Sequence, residues 1–538
     1  MMRDFAELLD RLVFTPSRNG KLKLMQDYFA DAPDPDRGYA LAAIVGDLDI
    51  PGIKPALLRS LAEERLDPIL FRYSYDYVGD LAETISLIWP GEGGQDIPSL
   101  HETVQRLQST SRSDAARVIV DLLDHMPAEA RFALLKLVTG GMRIGVSARL
   151  AKQALAGFGD KGIIEIEELW HGLKVPYVEL FQWLTGEGEK PENATKAPFR
   201  PVMLSHALEE ADRRSVSLAD YDIEWKWDGI RVQAVCEGGI ARLYSRTGDD
   251  ISGAFPDLVA AMDFDAAIDG ELLVGRPPHH VGSFSDLQQR LNRKTVSAKV
   301  QTDFPVFVRA YDLLQCDGED LRRLPLELRR SRLDRLIEKL NPTRFDQSEV
   351  MQFSSWEEME RARSNPPHAI IEGLMLKDRS TEYIAGRPKG PWFKWKRDPF
   401  TVDAVLLYAQ RGHGKRSSFY SDYTFGVWDG EPVAGGLVPV GKAYFGFTDE
   451  ELRLIDKYVR DHTVDRFGPV RAVKATPQEG LVIEVAFEGL ARSTRHKSGI
   501  AMRFPRISRL RWDKPPAEAD TLETLMALLE EVETARRG

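Results

Sequence analysis

Cysteine is almost missing from this chain: 538 residues carry two, Cys236 and Cys316. Two thiols cannot build a disulfide framework or a four-cysteine zinc site, so the composition points to a reducing, cytoplasmic setting. Long apolar runs are missing too. No stretch reaches the ~20 residues of a membrane span, and Met1-Met2-Arg3-Asp4-Phe5 opens an amphipathic pattern rather than a signal peptide. There is no surplus of positive charge. The formal net charge is −11, which argues against a basic coat for nucleic acid but leaves local positive surfaces open. No solenoid-length repeat and no long low-complexity segment occurs. What remains is a soluble, mixed composition in a chain long enough for two to four domains.

The first 185 or so residues read as helices. Apolar residues recur at three- and four-residue spacing in Phe5, Leu8, Leu9, Leu12 and in Val118, Ile119, Leu122, Leu123. A further helix, Phe132 to Val138, runs into the stop signal Thr139-Gly140-Gly141. Residues 186–201 mix Glu, Lys, Pro and Asn as a linker does. From about 220 the pattern changes to strands: Tyr221 to Cys236, Ala241 to Ser245, Ala266 to Val274 and Pro305 to Leu314, with a helix over Pro325 to Leu340. A second strand-rich region, including Val402 to Tyr408, Tyr423 to Trp428 and Leu481 to Phe487, suits a small antiparallel barrel. A charged amphipathic helix, Ala519 to Arg537, ends the chain.

The chemistry begins at Glu224-Trp225-Lys226-Trp227-Asp228-Gly229. On a strand, Glu224, Lys226 and Asp228 share one face and the tryptophans take the other. Alone, that is the ordinary pattern of a half-solvated strand. Downstream stand Ser245-Arg246-Thr247-Gly248, Asp269-Gly270-Glu271-Leu272, Ala310-Tyr311-Asp312-Leu313-Leu314, Ile371-Glu372-Gly373-Leu374-Met375-Leu376-Lys377 and Trp392-Phe393-Lys394-Trp395-Lys396. Lys394 and Lys396 share a face, which is unfavourable unless an anion lies between them. Arg503-Phe504-Pro505-Arg506-Ile507 continues to Arg511-Trp512-Asp513-Lys514.

Taken in order over residues 224–514, these elements resemble the lysyl-nucleotidyltransferases, and within them the ATP-dependent DNA ligases. The resemblance implies an all-α N-terminal DNA-binding domain (1–190), an α/β nucleotidyltransferase core (191–398) and a C-terminal OB-fold β-barrel with a final helix (399–538). It implies that Lys226 attacks ATP to form a lysine–AMP intermediate and that AMP then passes to the 5′-phosphate of a nick in duplex DNA. Glu224, Arg231, Arg246, Glu271, Tyr311, Met375, Arg387, Lys394 and Lys396 are the implied ATP contacts. Tyr311 and Met375 would sandwich the adenine. Glu271 and Glu372 would hold magnesium or manganese, and Lys389 is an alternative to Arg387. Neighbouring ammonium groups are expected to lower the pKa of Lys226. Arg503, Arg511, Asp513 and Lys514 would orient pyrophosphate.

Val138-Thr139-Gly140-Gly141-Met142-Arg143-Ile144-Gly145 is similar to the phosphate-holding loop of the helical domain in large ligases, with Arg143 the implied DNA contact. The Trp-Phe-Lys-Trp-Lys wording resembles the bacterial branch, implying repair. Two cysteines exclude the zinc module of NAD-dependent ligases. RNA ligation, and a DNA-binding scaffold without chemistry, remain as alternatives. Gly436-Leu437-Val438-Pro439-Val440-Gly441-Lys442-Ala443 nearly spells a phosphate loop, but it ends in alanine where Ser or Thr is required. It reads instead as a barrel loop, with Lys442 facing DNA. Gly412-His413-Gly414-Lys415-Arg416 reads as a basic loop. A monomer without membrane contact is expected.

Overall fold

The computed structural model describes residues 2–50, 54–78, 80–91, 93–94, 97–111, 113–140, 142–191, 196–278, 280–291, 293, 295–411, 419–432, 436–468 and 470–537. The basic loop 412–416 and Gly141 lie outside them. The chain divides into two compact units. One comprises Met1–Ile166, Leu173–Glu192 and Phe400–Met526; the other comprises Glu167–Gly172, Asn193–Pro399 and Ala527–Gly538.

In the first unit, the N-terminal part is helical from Met2–Phe14 to Val178–Thr185, as the three- and four-residue spacing predicts. Phe5, Leu8, Leu9 and Leu12 are all buried, and so are Val118, Ile119, Leu122 and Leu123. The helix expected to stop at Gly140 spans Ala128–Thr139 and does so. The C-terminal strands of this unit form an antiparallel sheet around the long strand Phe400–Arg411. On one side that strand pairs with Tyr420–Asp429. On the other it pairs with Val482–Phe487 along its first half and with Val470–Val473 along its second. One strand serving two partners in succession is how a sheet curls toward a barrel. Gly436–Ala443, expected to be a loop, is a strand paired antiparallel with Tyr420–Asp429. The turn residues of that segment outweighed its alternating Leu437, Val438 and Val440, of which Val438 and Val440 are buried.

The second unit holds two sheets. One orders His206–Ala207, Trp392–Lys396, Ile371–Asp378, Tyr221–Trp227 and Val350–Met351. The other is built around Ile240–Ser245, Ile230–Glu237, Ala266–Arg276 and Val306–Cys316. Asp228-Gly229 carries the chain from the first sheet into the second. A Cβ at Gly229 would lie 2.5 Å from the Leu272 carbonyl oxygen and 2.9 Å from Glu271 Cγ. Only glycine lets the strand bearing Glu271 approach the residues after Lys226 this closely.

Among the described residues no helix is long and apolar enough to cross a membrane. At Gly373, φ is +145° and an added Cβ would fall 2.2 Å from the Trp395 carbonyl oxygen. Gly373→Ala should therefore cost about 1–3 kcal/mol of unfolding free energy. Urea denaturation of the two proteins measures it, and equal midpoints would contradict the packing described.

Candidate active site

Three strands of the first sheet carry five of the candidate residues on one face. In register, Lys226 lies opposite Gly373, which lies opposite Lys396; Glu224 lies opposite Met375, which lies opposite Lys394. Residues paired across antiparallel strands point the same way. Glu224, Lys226, Met375, Lys377, Lys394 and Lys396 thus share a surface. The other face buries Ile223, Leu374, Leu376, Phe393 and Trp395 in an apolar cluster against which Trp225 packs. The alternation read in the sequence is what separates chemistry from core here.

The pairing shifts register between Ile371 and Gly373, so Glu372 sits at a bulge. Bulges re-aim side chains. Glu372 Oε2 accepts a short hydrogen bond from Lys226 Nζ and stands 3.6 Å from Lys396 Nζ. Burial presses the Lys226 ammonium toward neutrality, but Glu372, Glu271 and Asp228 outweigh it, and its pKa is raised. This corrects the expectation that neighbouring ammonium groups lower it. Glu372 from the neighbouring strand, with Glu271 from the adjacent sheet, lies near enough to reverse the sign. Glu271 shows the other side of the encounter: burial pushes its carboxyl up to about 7, against the pull of Lys226 and Arg231.

Lys394 has no carboxylate partner among the described residues, and burial with Arg387, Lys226, Lys396 and Arg246 lowers its pKa. Arg246 is lowered likewise, by burial and then by Arg231 and Arg387. Five cationic side chains, Lys226, Lys394, Lys396, Arg246 and Arg387, therefore feel one another. Glu372 and Glu271 offset only part of that charge, and a surface with surplus positive charge is a site for a polyanion. Arg387 and Lys389 are both exposed on the loop before Trp392.

Arg231 is held differently. Its guanidinium forks onto Asp269, at 3.0 Å and 2.7 Å, and donates to the Met203 carbonyl at 2.6 Å and to Tyr383 Oη at 3.1 Å. The Tyr311 hydroxyl donates to Asp269 at 3.2 Å, and that of Tyr383 at 2.6 Å. Asp269 is fully buried, and a buried carboxylate persists only with such partners. Asp269 and Tyr383 were not singled out from the sequence. Nor was Arg330, which donates to Glu224 Oε1 at 2.6 Å, nor Lys377, which donates to Glu224 Oε2 at 3.0 Å. A signal for Arg330 did exist. On the helix Leu326–Ile337 the buried residues are Leu326, Arg329, Arg330 and Leu333. That is the i, i+3, i+4, i+7 stripe of a core face with arginine at two of its four positions.

Among the described residues no group of three or more His, Cys, Asp or Glu could hold a metal by itself. Two hard carboxylates, Glu271 and Glu372, do flank the cationic cluster. Magnesium is usually bound by one or two carboxylates together with phosphate oxygens and water, so this donor set suits it.

The remaining candidates lie in the other unit. Arg511 Nη1 and Lys514 Nζ both donate to Asp403 Oδ2, at 2.9 Å and 2.8 Å, and Arg511 also pairs with Asp513 at 3.0 Å. The Arg503 guanidinium lies 5.3 Å from the centre of the Phe504 ring. Lys442 is exposed on its strand opposite Thr424. Arg143 is exposed, with φ +49°, in a loop held by Lys21, whose Nζ donates to the carbonyls of Ile144 at 2.5 Å and Gly145 at 3.1 Å.

A family profile described as ATP dependent DNA ligase domain matches residues 203–396. Profiles described as DNA ligase N terminus and ATP dependent DNA ligase C terminal region match residues 1–156 and 416–514. A Koribacter versatilis (strain Ellin345) protein named "Probable DNA ligase" is 34% identical over 481 residues, 84% of this chain and 81% of that protein. The chain belongs to the ATP-dependent DNA ligase family. It is an ATP-using enzyme of the nucleotidyltransferase type that joins DNA at nicks. "DNA ligase 1" of Korarchaeum cryptofilum (strain OPF8) is 27% identical, with 98% of each chain covered. The solved structure Pmar-Lig_PreS3 shares the ligase fold, with a TM-score of 0.60 at 15% identity, covering 94% of this chain and 99% of the other.

The ion pair at the centre of this ligase is open to direct test. Glu372→Gln removes the largest charge holding the Lys226 proton, so the pKa of Lys226 should fall. Pulse acetylation at neutral pH, read by peptide mass, should then modify Lys226 about tenfold faster than in the parent. Equal labelling would show that Glu372 does not govern that proton.

Proposed function

We propose that this ligase activates ATP by covalent catalysis on Lys226. The observation that carries the reading is the Lys226–Glu372 hydrogen bond inside a face otherwise crowded with cations. The proton on Lys226 Nζ lies on a bond to Glu372 Oε2, within reach of the group that can accept it. Nζ then forms a bond to the α-phosphorus, the α–β bridging bond breaks, and pyrophosphate leaves. Lys394 and Lys396 offset the charge that develops, with Arg246 and Arg387 (or Lys389) on neighbouring phosphate oxygens. Glu224 accepts a hydrogen bond from the adenine amino group. Tyr311 and Met375 flank the base, and Arg231 with Glu271 fixes the ribose. Glu271 and Glu372 would hold magnesium or manganese, which supplies Lewis-acid polarisation of the phosphoryl oxygens.

AMP passes next to the 5′-phosphate of the nick, and the neighbouring 3′-hydroxyl displaces it as the phosphodiester forms. Arg503, Arg511, Asp513 and Lys514 orient pyrophosphate during the first step, which requires Arg511 and Lys514 to leave Asp403. Arg143 and Lys442 contact the DNA backbone. The working chain is a monomer of three parts, 1–190, 191–398 and 399–538, in a bacterial cytoplasm, and it serves repair.

Two variants separate these roles. Lys226→Ala should fail to seal a 5′-phosphate nick with ATP, by more than about a thousandfold, yet still seal a nick supplied already adenylated. Failure on both substrates, in a folded protein, would show that Lys226 does more than accept AMP. Arg143→Ala should form the protein adduct normally and lose nick affinity, most visibly as salt is raised. Wild-type sealing by that variant at raised salt would remove Arg143 from the DNA contacts.

A further inference from the structure

Glu224 is 2% exposed, and both of its carboxylate oxygens are taken by cations. Arg330 Nη1 donates to Oε1 at 2.6 Å and Lys377 Nζ to Oε2 at 3.0 Å. Two buried cations grip one carboxylate through separate oxygens, Lys377 at 1% exposure, and Asp222 also lies within electrostatic reach of both. Holding each oxygen by a separate cation fixes the direction of the carboxylate. Each cation also reaches Tyr311. Arg330 Nη1 donates to the Tyr311 carbonyl at 3.3 Å, while Nη2 of the same guanidinium donates to the Ser348 carbonyl. Lys377 Nζ lies 4.0 Å from the centre of the Tyr311 ring and 4.9 Å from that of Trp392.

We propose that Arg330 and Lys377 are positioning residues that make this ligase select a 6-amino purine nucleotide over a 6-oxo purine nucleotide. The inference rests on the reading of Glu224 given under Proposed function and deepens it. A carboxylate bonded through both oxygens to cations offers only its remaining lone pairs, and it offers them in one fixed direction. An exocyclic amino group donates to such an acceptor. A 6-oxo base brings an acceptor to the same point, and acceptor then faces acceptor. For a 6-oxo base to bind, Glu224 would have to rotate, and the bonds to the two cations oppose that rotation. A recognition group left without such a frame discriminates poorly, because the wrong base then costs only a small adjustment.

The test is nucleotidylation of the full chain by ATP and by inosine triphosphate, followed by intact-protein mass over time and expressed as the ratio of the two kcat/KM values. Comparing two nucleotides on one sample cancels any loss of folded protein. Arg330→Met and Lys377→Met should each narrow the ATP preference by about tenfold or more, and Arg330→Lys should recover part of it. Glu224→Gln, whose amide can donate to a 6-oxo group, serves as the control on the underlying reading and should narrow the ratio most. If Glu224→Gln narrows it and neither Arg330→Met nor Lys377→Met does, Glu224 reads the base but the clamp is overturned. If Glu224→Gln leaves the ratio unchanged, Glu224 does not meet position 6 and the proposal falls with that reading. Should Arg330→Met fail to fold, Lys377→Met decides.

Discussion

A lysine ammonium has no lone pair to offer, and Lys226 is held as an ammonium by the carboxylates around it. The hydrogen bond from Lys226 to Glu372 is therefore the interaction from which the rest of the site takes its meaning. It fixes the direction of the lysine side chain, keeps its charge, and supplies an adjacent acceptor for the proton. It is also a latch. Any anion and cation brought into the cluster compete for Glu372 and for the lysines at once, so binding of the triphosphate would be coupled to release of the nucleophile. Without that coupling, a buried and neutral lysine would stand reactive before its substrate arrived.

Sheet geometry makes the latch possible. Three strands in one register set Glu224, Lys226, Met375, Lys377, Lys394 and Lys396 on a single face, and the tryptophans and leucines behind them lock that face in place. The second sheet then brings Glu271 across Gly229. Buried ion pairs frame the reactive surface: Arg231 with Asp269, Arg329 with Asp312, Arg330 and Lys377 with Glu224. Such pairs add little net stability over apolar packing, and losing one partner of a pair is expensive. Their effect here is orientation, because those of Arg231 and Glu224 join a residue of the site to a different strand or helix.

Much of this was legible in the sequence, and the rest was hidden for identifiable reasons. Period-two alternation gave the strand faces, and three- and four-residue spacing gave the helices, because both depend on which residues can be buried. Lys226, Lys394 and Lys396 could be placed on a shared face by the strand period, whereas Glu271 and Glu372 were picked out through the resemblance of their motifs to the family. Arg330 and Tyr383 could not be paired with Glu224 and Asp269 by inspection, because the partners are 106 and 114 residues apart and meet only in the folded chain. The raised pKa of Lys226 was misjudged for a related cause. Neighbours along the strand were visible, whereas Glu372 arrives on a strand 146 residues further on and Glu271 from another sheet. Gly436–Ala443 was misread because its glycines and proline mark turns, although Val438, Val440 and Ala443 there are buried.

The central claim is that Lys226 is the nucleophile. The most direct measurement is peptide mapping of the chain after incubation with magnesium and ATP, on protein first stripped of bound nucleotide. The account predicts a single AMP-sized addition, carried by the peptide that contains Lys226 and formed with ATP but not with NAD. An addition mapped to any other residue, or no addition on well-folded protein, would contradict it.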